Sequence, residues 1–463
     1  MGVAHIVIVG GGVAGLTAAY RLRQRQPEIR LTVVDQAPEL GGKLRSATLA
    51  DLPVEAGAEA FLSRDPAVPQ LAADLGLQVV HPSGAPAAIA LKGRLHPIPA
   101  GTLVGVPGDL AALAGLAKAT PEPVTHGPLL APGADISVGE LVRARFGGEV
   151  VDRLVDPMLG GVYAGRADQL SLAVTLPTLA AAARRCDTLV GAVRLALGTP
   201  TGPATGLAAG AGSPTAAARP VFGTIVGGMT ALVQALAEAS GAELRLGLPV
   251  RELARTPTGW RLVIGSTRSP EVIEADGVVL ALPARPAARL LHEYCPAAAD
   301  EIGVLDYASV ALVSLAFPGI QMPEMSGFLV PASEGYATKA VTFIDRKWPH
   351  LAAPDLSLVR ASLGRYGDER VLQRPDGELV DLVRGELADL LGRELPVPVD
   401  AYVRRWGGAL PQYTPGHLDR VRRARAALDG DPTISLAGAG YDGVGIPACV
   451  RSGTAAAEHL TLH

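Results

Sequence analysis

The chain has 463 residues, 48% of them hydrophobic, and a formal net charge of −4. That length gives room for more than one domain and a sizeable core, while mild acidity with scattered Lys and Arg supplies no basic field for nucleic acid. Cys186, Cys295 and Cys449 stand far apart without C-x-x-C spacing, which argues against a disulfide framework or a zinc site and makes a reducing cytoplasm the expected compartment.

The first predicted element is a strand over residues 6–9, a β-branched Ile-Val-Ile-Val run that suits a buried parallel position. It begins almost at residue 1 with no charged leader or cleavage site, so it is expected as the first strand of the fold and not as a secretion signal. Gly10, Gly12 and Gly15 follow in G-x-G-x-x-G spacing, with Gly11, Val13 and Ala14 between them. In such a turn the first glycine permits the sharp bend, the second leaves room for a pyrophosphate, and the third lets the next helix pack on the strand. An apolar helix over 16–22 and a second strand over 31–34 come next, closed by Asp35 and then Gln36. An acid at that point accepts hydrogen bonds from ribose hydroxyls and disfavours a 2′-phosphate. Strand, glycines, helix, strand and acid in this order predict a dinucleotide site. The continuation, Glu39-Leu40-Gly41-Gly42-Lys43-Leu44-Arg45, adds a second Gly-Gly turn with two cations, expected to approach the same pyrophosphate from the other side.

Farther along, residues 137–197 are helical in pattern, and 198–220 are dense enough in Gly, Pro, Ser and Thr to predict a surface loop. Gly227-Gly228-Met229 leads into a helix over 230–239, strand-like runs follow at 243–246, 250–253 and 260–264, and 275–283 reads as a buried strand ending in a turn. A last buried strand over 434–437, the glycine turns at 438–440 and 443–445, and a helix over about 448–460 repeat the strand, turn, helix arrangement. That helix N-terminus would offer N–H groups and a positive dipole end to an electron-rich acceptor. No apolar stretch reaches the ~20 residues needed to cross a bilayer, and peripheral membrane contact is left open. The predicted fold class is α/β, a Rossmann-like nucleotide-binding domain (1–64, 221–283, 399–463) interleaved with an α+β substrate-binding domain (65–136, 284–398) and a helical insertion (137–220).

The G-G-x-x-R continuation resembles the flavin amine oxidase and protoporphyrinogen oxidase superfamily. Over nearly the whole chain the sequence is most similar to bacterial protoporphyrinogen and coproporphyrinogen oxidases, through VEAGAEAFLSR (54–64), RLVDPMLGGVYAGRADQLSL (153–172), 227–236, SGFLVPASE (326–334), Lys347-Trp348-Pro349-His350, Arg405-Trp406, Pro411-Gln412-Tyr413 and 437–453. The resemblance implies non-covalent FAD, held by Gly10 to Gly15, Asp35, Gln36, Gly42, Lys43 and Arg45. It places Gly57, Ala58, Glu59 and Ala60 along the ribityl and isoalloxazine, the Val250 backbone at the adenine, Trp406 beside the flavin, and Val444, Gly445 and Ile446 over its pyrimidine edge, with Gly440 a further cofactor contact. Arg64, Gly161 and Leu329 become substrate contacts, Gly161 admitting a flat macrocycle and Leu329 pressing on its opposite face. Asp65 stands where some relatives carry a base, and Arg166 is a further candidate cation, with a solvated surface arginine the equal alternative. Lys347-Trp348 is balanced between a substrate loop and a packing turn.

The implied activity is oxygen-dependent oxidation of coproporphyrinogen III to coproporphyrin III in haem synthesis, by repeated hydride removal with release of hydrogen peroxide. The flavin carries that chemistry, so no catalytic acid or base is assigned. Protoporphyrinogen IX is the alternative substrate, and a flavin amine oxidase or desaturase-like enzyme a second alternative, against which the G-V-Y-A-G and G-F-L-V-P segments argue. Porphyrinogen and dioxygen are the expected partners. Hand-off to a ferrochelatase and membrane association are family expectations without a sequence signature. No metal site is expected, because the histidines show no ligand spacing.

Overall fold

The computed structural model describes residues 3–198 and 220–461; the segment expected to form a Gly/Ala/Pro-rich loop lies, apart from its two end residues, outside the described residues. Its centre is a five-stranded parallel sheet in the order Glu243–Leu246, Arg30–Asp35, His5–Val9, Gly277–Leu280, Ile434–Leu436. Strands covered on both faces need apolar side chains at every position, which explains the unbroken Ile-Val-Ile-Val run. Ile6 and Ile8 face the helices, while Val7 and Val9 face the other side, in one cluster with Trp260, Leu262 and Ile264 of an antiparallel meander, Val250–Thr256, Gly259–Ser266 and Ser269–Ala275.

Two helices cover the first face together, Val13–Arg25 and Ile446–His459. They approach so closely at Gly453 that a Cβ there would overlap the carbonyl oxygen of Ala14. The most N-terminal and most C-terminal helices are thus packed backbone to backbone beside the glycine turn.

A second sheet of seven strands runs Asp400–Gln412, Asp306–Pro318, Leu356–Leu363, Thr338–Phe343, Gly327–Leu329, Ala87–Leu91, Arg94–Pro97. Its pairs are antiparallel except Gly327–Leu329 with Ala87–Leu91. Helix Asp376–Leu391 seals one face through Leu379, Val383 and Leu387. Register places Leu329, Ala340, Thr342, Arg360, Arg404 and Trp406 on the other face. Asp400–Gln412 falls in this sheet, although residues 399–463 were expected to be nucleotide-binding. The strand is exposed or half-buried over its first nine residues, as suits an edge strand, and lacks the fully apolar run of a central parallel strand.

The helical segment includes Val138–Phe146, capped by the Ser137 hydroxyl, which accepts the N–H of Glu140. A wider-wound turn over Val151–Val155 leads into the eight-residue helix Asp156–Tyr163, ended by Ala164 in the left-handed region.

Substituting Gly453 by Ala separates the two packed helices. Overpacking of this kind costs about 2 kcal/mol, and the expected outcome is a thermal midpoint about 2 °C lower by differential scanning calorimetry.

Candidate functional site

The first strand ends in a turn where Gly10 has φ +112°, and a side chain there would strike the Ala281 carbonyl. A Cβ on Gly15 would overlap the Gly10 carbonyl, whereas one on Gly12 would meet nothing within 4 Å. The three glycines therefore divide into turn, open floor and close packing, as their spacing predicts. Val13 and Ala14 are buried in the first turn of the helix. Across the open floor lies the second Gly-Gly turn: the Gly41 N–H donates to the Gly11 carbonyl at 2.8 Å, and a Cβ on Gly42 would stand 3.3 Å from the Gly12 Cα. Asp35 stitches this corner, its carboxylate accepting the N–H of Gly11 at 2.7 Å and of Ala37 at 2.8 Å. Gln36 beside it is exposed. Leu248 N–H donates to the Asp35 carbonyl, which brings the half-buried Val250 alongside.

Arg45 turns back onto its own loop, donating to the Glu39 carbonyl at 2.7 Å and pairing with the Glu39 carboxylate. Lys43 does the opposite. It stands near Cys449 without an ion-pair partner among the described residues, and burial lowers its ammonium pKa. Burial likewise pushes the Cys449 thiol up to about 11, which keeps it protonated.

The segment after the next strand closes over this loop. Ala56 and Ala58 donate to the carbonyls of Arg45 and Lys43, and Gly57 passes so near Lys43 that no side chain would fit. Trp406 reaches in from the second sheet, donating its indole N–H to the Ala56 carbonyl at 2.8 Å while the Arg404 guanidinium lies 4.7 Å over its ring. Glu59 is fully committed: Arg360 pairs with it at 2.6 Å and Lys347 from the other side. Burial raises the Glu59 carboxyl, but the two cations outweigh burial and hold it at about 2. Lys347 is therefore a structural cation, and its neighbour Trp348 is buried at 2% exposure, which decides that loop for packing.

Glu55 was not singled out from sequence. Its carboxylate takes the N–H of Met229 at 2.6 Å, at the N-terminus of helix Met229–Ser240, and Gly228 is bare because a side chain would crowd that carboxylate. Burial pushes Glu55 up to about 7 against the pull of this N–H and of Arg360. The signal was the juxtaposition of an acid in VEAGAEAFLSR with a distant Gly-Gly-Met turn, which no local pattern links.

Helix Ile446–His459 starts at Gly445, and the N–H groups of Ile446 and Ala448 in its first turn have no helical acceptor. Val444, Gly445 and Ile446 line a cleft of about 740 Å³ together with Ala60, Tyr163 and Arg451. Gly440 lies apart from them, on a second cavity of about 390 Å³, against Tyr307. Arg64 is exposed, and Asp65 beside it is buried at 4% exposure and paired with Arg451 of the C-terminal helix. Asp65 thus anchors a cation at the cleft wall. Gly161 is exposed and Leu329 half-buried, and the two do not flank a gap: a Cβ on Gly161 would sit 3.2 Å from a Leu329 methyl. The expectation of opposite faces is corrected accordingly, since the missing side chain lets Leu329 close directly onto the helix. Gly161 stands one residue before Val162 and Tyr163, which do line the cleft. Arg166 is exposed.

Residues 13–461 match the family described as flavin containing amine oxidoreductase. The chain belongs to that family. This flavin-dependent oxidoreductase is 39% identical over 98% of its length to a coproporphyrinogen III oxidase of Mycobacterium leprae, covering 97% of that protein. It is 31% identical to one of Bacillus subtilis, over 98% of this chain and 97% of the relative. Among solved structures, one from Exiguobacterium, provisionally named a protoporphyrinogen oxidase, superposes with a TM-score of 0.83 at 31% identity, covering 99% of this chain and 98% of that one. No helix among the described residues of the oxidoreductase is long and apolar enough to cross a membrane.

Glu55 gives a pH signature. Its folded pKa, about 7, lies above the ordinary 4.5, so the folded state holds the proton longer and stability falls as pH rises from about 4.5 to 7. Glu55→Gln is expected to flatten the decline of thermal midpoint over that window, measured by calorimetry from pH 4.5 to 7.5.

Proposed function

We propose that this chain oxidises coproporphyrinogen III to coproporphyrin III in haem biosynthesis, using non-covalently held FAD and dioxygen. The observation that carries the proposal is the likeness, over nearly the full length of both chains, to proteins named for that reaction. The geometry is consistent with it. Gly12 and Gly42 leave the floor on which a pyrophosphate would rest, and Asp35, with lone pairs beyond the two backbone bonds it accepts, would take ribose hydroxyls. Lys43, next to Gly42 in sequence and without an ion-pair partner among the described residues, would supply positive charge to the pyrophosphate. The N–H groups of Ile446 and Ala448 would face the pyrimidine edge of the ring.

A bound flavin would supply the redox chemistry, accepting a hydride from a bridging methylene as a pyrrole N–H proton is released, with dioxygen taking up the two electrons and two protons as hydrogen peroxide. The protein orients a flat macrocycle in the cleft and keeps water from it. Arg64 and the Asp65-anchored Arg451 offer cations to the propionates.

The test is turnover of coproporphyrinogen III and protoporphyrinogen IX in parallel, followed by porphyrin fluorescence and peroxide. A higher kcat/KM on the tetrapropionate substrate is expected; preference for protoporphyrinogen, or oxidation of amines alone, overturns the assignment. Arg64→Ala is expected to raise KM for coproporphyrinogen about tenfold, the loss of one charge-assisted hydrogen bond, with a smaller effect on the dipropionate substrate.

A further inference from the structure

Lys339 is 4% exposed, and its ammonium makes one hydrogen bond, 3.3 Å, to the carbonyl of Gly160. No carboxylate among the described residues forms an ion pair with it. Buried lysines without a counter-charge are rare, because desolvation of the ammonium goes uncompensated.

Backbone geometry has aimed it. In the strand Thr338–Phe343, Val341 and Phe343 point into the core beneath helix Asp376–Leu391, and strict alternation would send Lys339 the same way. The register shifts between Thr338 and Ala340, and at that bulge Lys339 reaches the helix Asp156–Tyr163, which Leu329 also touches.

The charged groups around it are otherwise engaged. Arg360 is paired with Glu59, and Arg365 donates to the carbonyls of Val330, Tyr336 and Ala337. Glu386, from helix Asp376–Leu391, accepts the N–H groups of Ala337 and Thr338, and Asp156, on the helix itself, accepts that of Ala167. Asp156, Asp368 and Glu386 offset the charge of Arg365. Burial, then Arg365 and Arg360, pushes the Lys339 ammonium down to about 7.

The end of helix Asp156–Tyr163 is tied down by three external donors. Gln412 donates its amide to the Tyr163 carbonyl at 2.8 Å, the Tyr366 N–H donates to the Ala164 carbonyl at 2.6 Å, and Lys339 holds Gly160. Only the last is charged and titrates near neutrality. Gly160 and Gly161 are poor helix formers at the point where Val162 and Tyr163 turn into the cleft wall, so this is the segment that needs a brace.

We propose that Lys339 is a positioning residue for the porphyrinogen, its ammonium fixing the Gly160–Gly161 turn from which Val162 and Tyr163 enter the wall of the cleft. The inference rests on the proposed function above. It deepens that reading by naming a residue outside the cleft wall that sets substrate affinity.

The test compares wild type with Lys339→Met in the flavin-loaded protein, using coproporphyrin III as the binding probe. A residue kept for function at the expense of stability predicts a thermal midpoint in K339M equal to or above wild type, with KM for coproporphyrinogen and Kd for coproporphyrin raised about tenfold and kcat little changed. Wild-type Kd should weaken as pH rises through about 7, the value at which the ammonium loses its proton, and K339M should lack that dependence. The unfolded state binds more protons between about 7 and the ordinary 10.5, so wild-type stability should also rise over that window and K339M stability should not. Unchanged porphyrin Kd in K339M overturns the proposal. Should the midpoint and the affinity both fall, a wild-type Kd flat from pH 6 to 9 overturns it and a Kd weakening across neutrality upholds it. A wild type inert on every porphyrinogen removes the functional reading itself, which is a separate result.

Discussion

One largely buried carboxylate ties the segment over the glycine turns to the second sheet. Glu59 sits in the segment that folds over the glycine turns; its partner Arg360 comes from the strand Leu356–Leu363 of the second sheet, and Lys347 from the helical turn Ile344–Lys347 between that strand and Thr338–Phe343. A buried ion pair adds little net stability over a well-packed apolar contact, but breaking it leaves an uncompensated charge in a low-dielectric interior. The arrangement thus works as a registration device. It admits one relation between the sheets, the one in which Trp406 lands on the Ala56 carbonyl and the Gly57 backbone lies against Lys43.

Much of the first half of the site was legible in the sequence because its causes are local. Gly10, Gly12 and Gly15 take three different roles within six residues, and the structure assigns each the role its spacing implies. The parallel strands were legible for the same reason, being continuous apolar runs. Gly42 opposite Gly12 was inferred from a repeated turn, and it too depends on few residues.

The rest depends on pairings between distant segments, which periodicity does not encode. Asp400–Gln412 was expected within the nucleotide-binding half, with Trp406 beside the flavin. The indole reaches the Ala56 carbonyl, in the segment that closes over the glycine turns, from a strand of the other sheet. Glu55 and Lys339 are ordinary charged residues in sequence; one is distinguished by a helix N-terminus far along the chain, the other by a one-residue slip in strand register. Arg45 shows the converse, a motif arginine whose side chain braces its own turn. Leu329 against Gly161 was foreseen as a pair of important residues and misjudged as a spatial relation, since sequence does not say whether two segments touch or face each other across a space.

The fit of Gly453 against Ala14 bears on how the protein is made. Residue 14 leaves the ribosome long before residue 453 exists, so the first helix is synthesised with its binding face exposed and its most intimate neighbour missing. The edge strand Ile434–Leu436 of the parallel sheet is equally late. The nascent glycine turn therefore waits as an incomplete layer, with apolar surface that invites association with other chains or with chaperones. Because the helix Ile446–His459 also brings Val444 to Ile446, completion of this layer and completion of the cleft are the same event, and it waits for that helix to emerge.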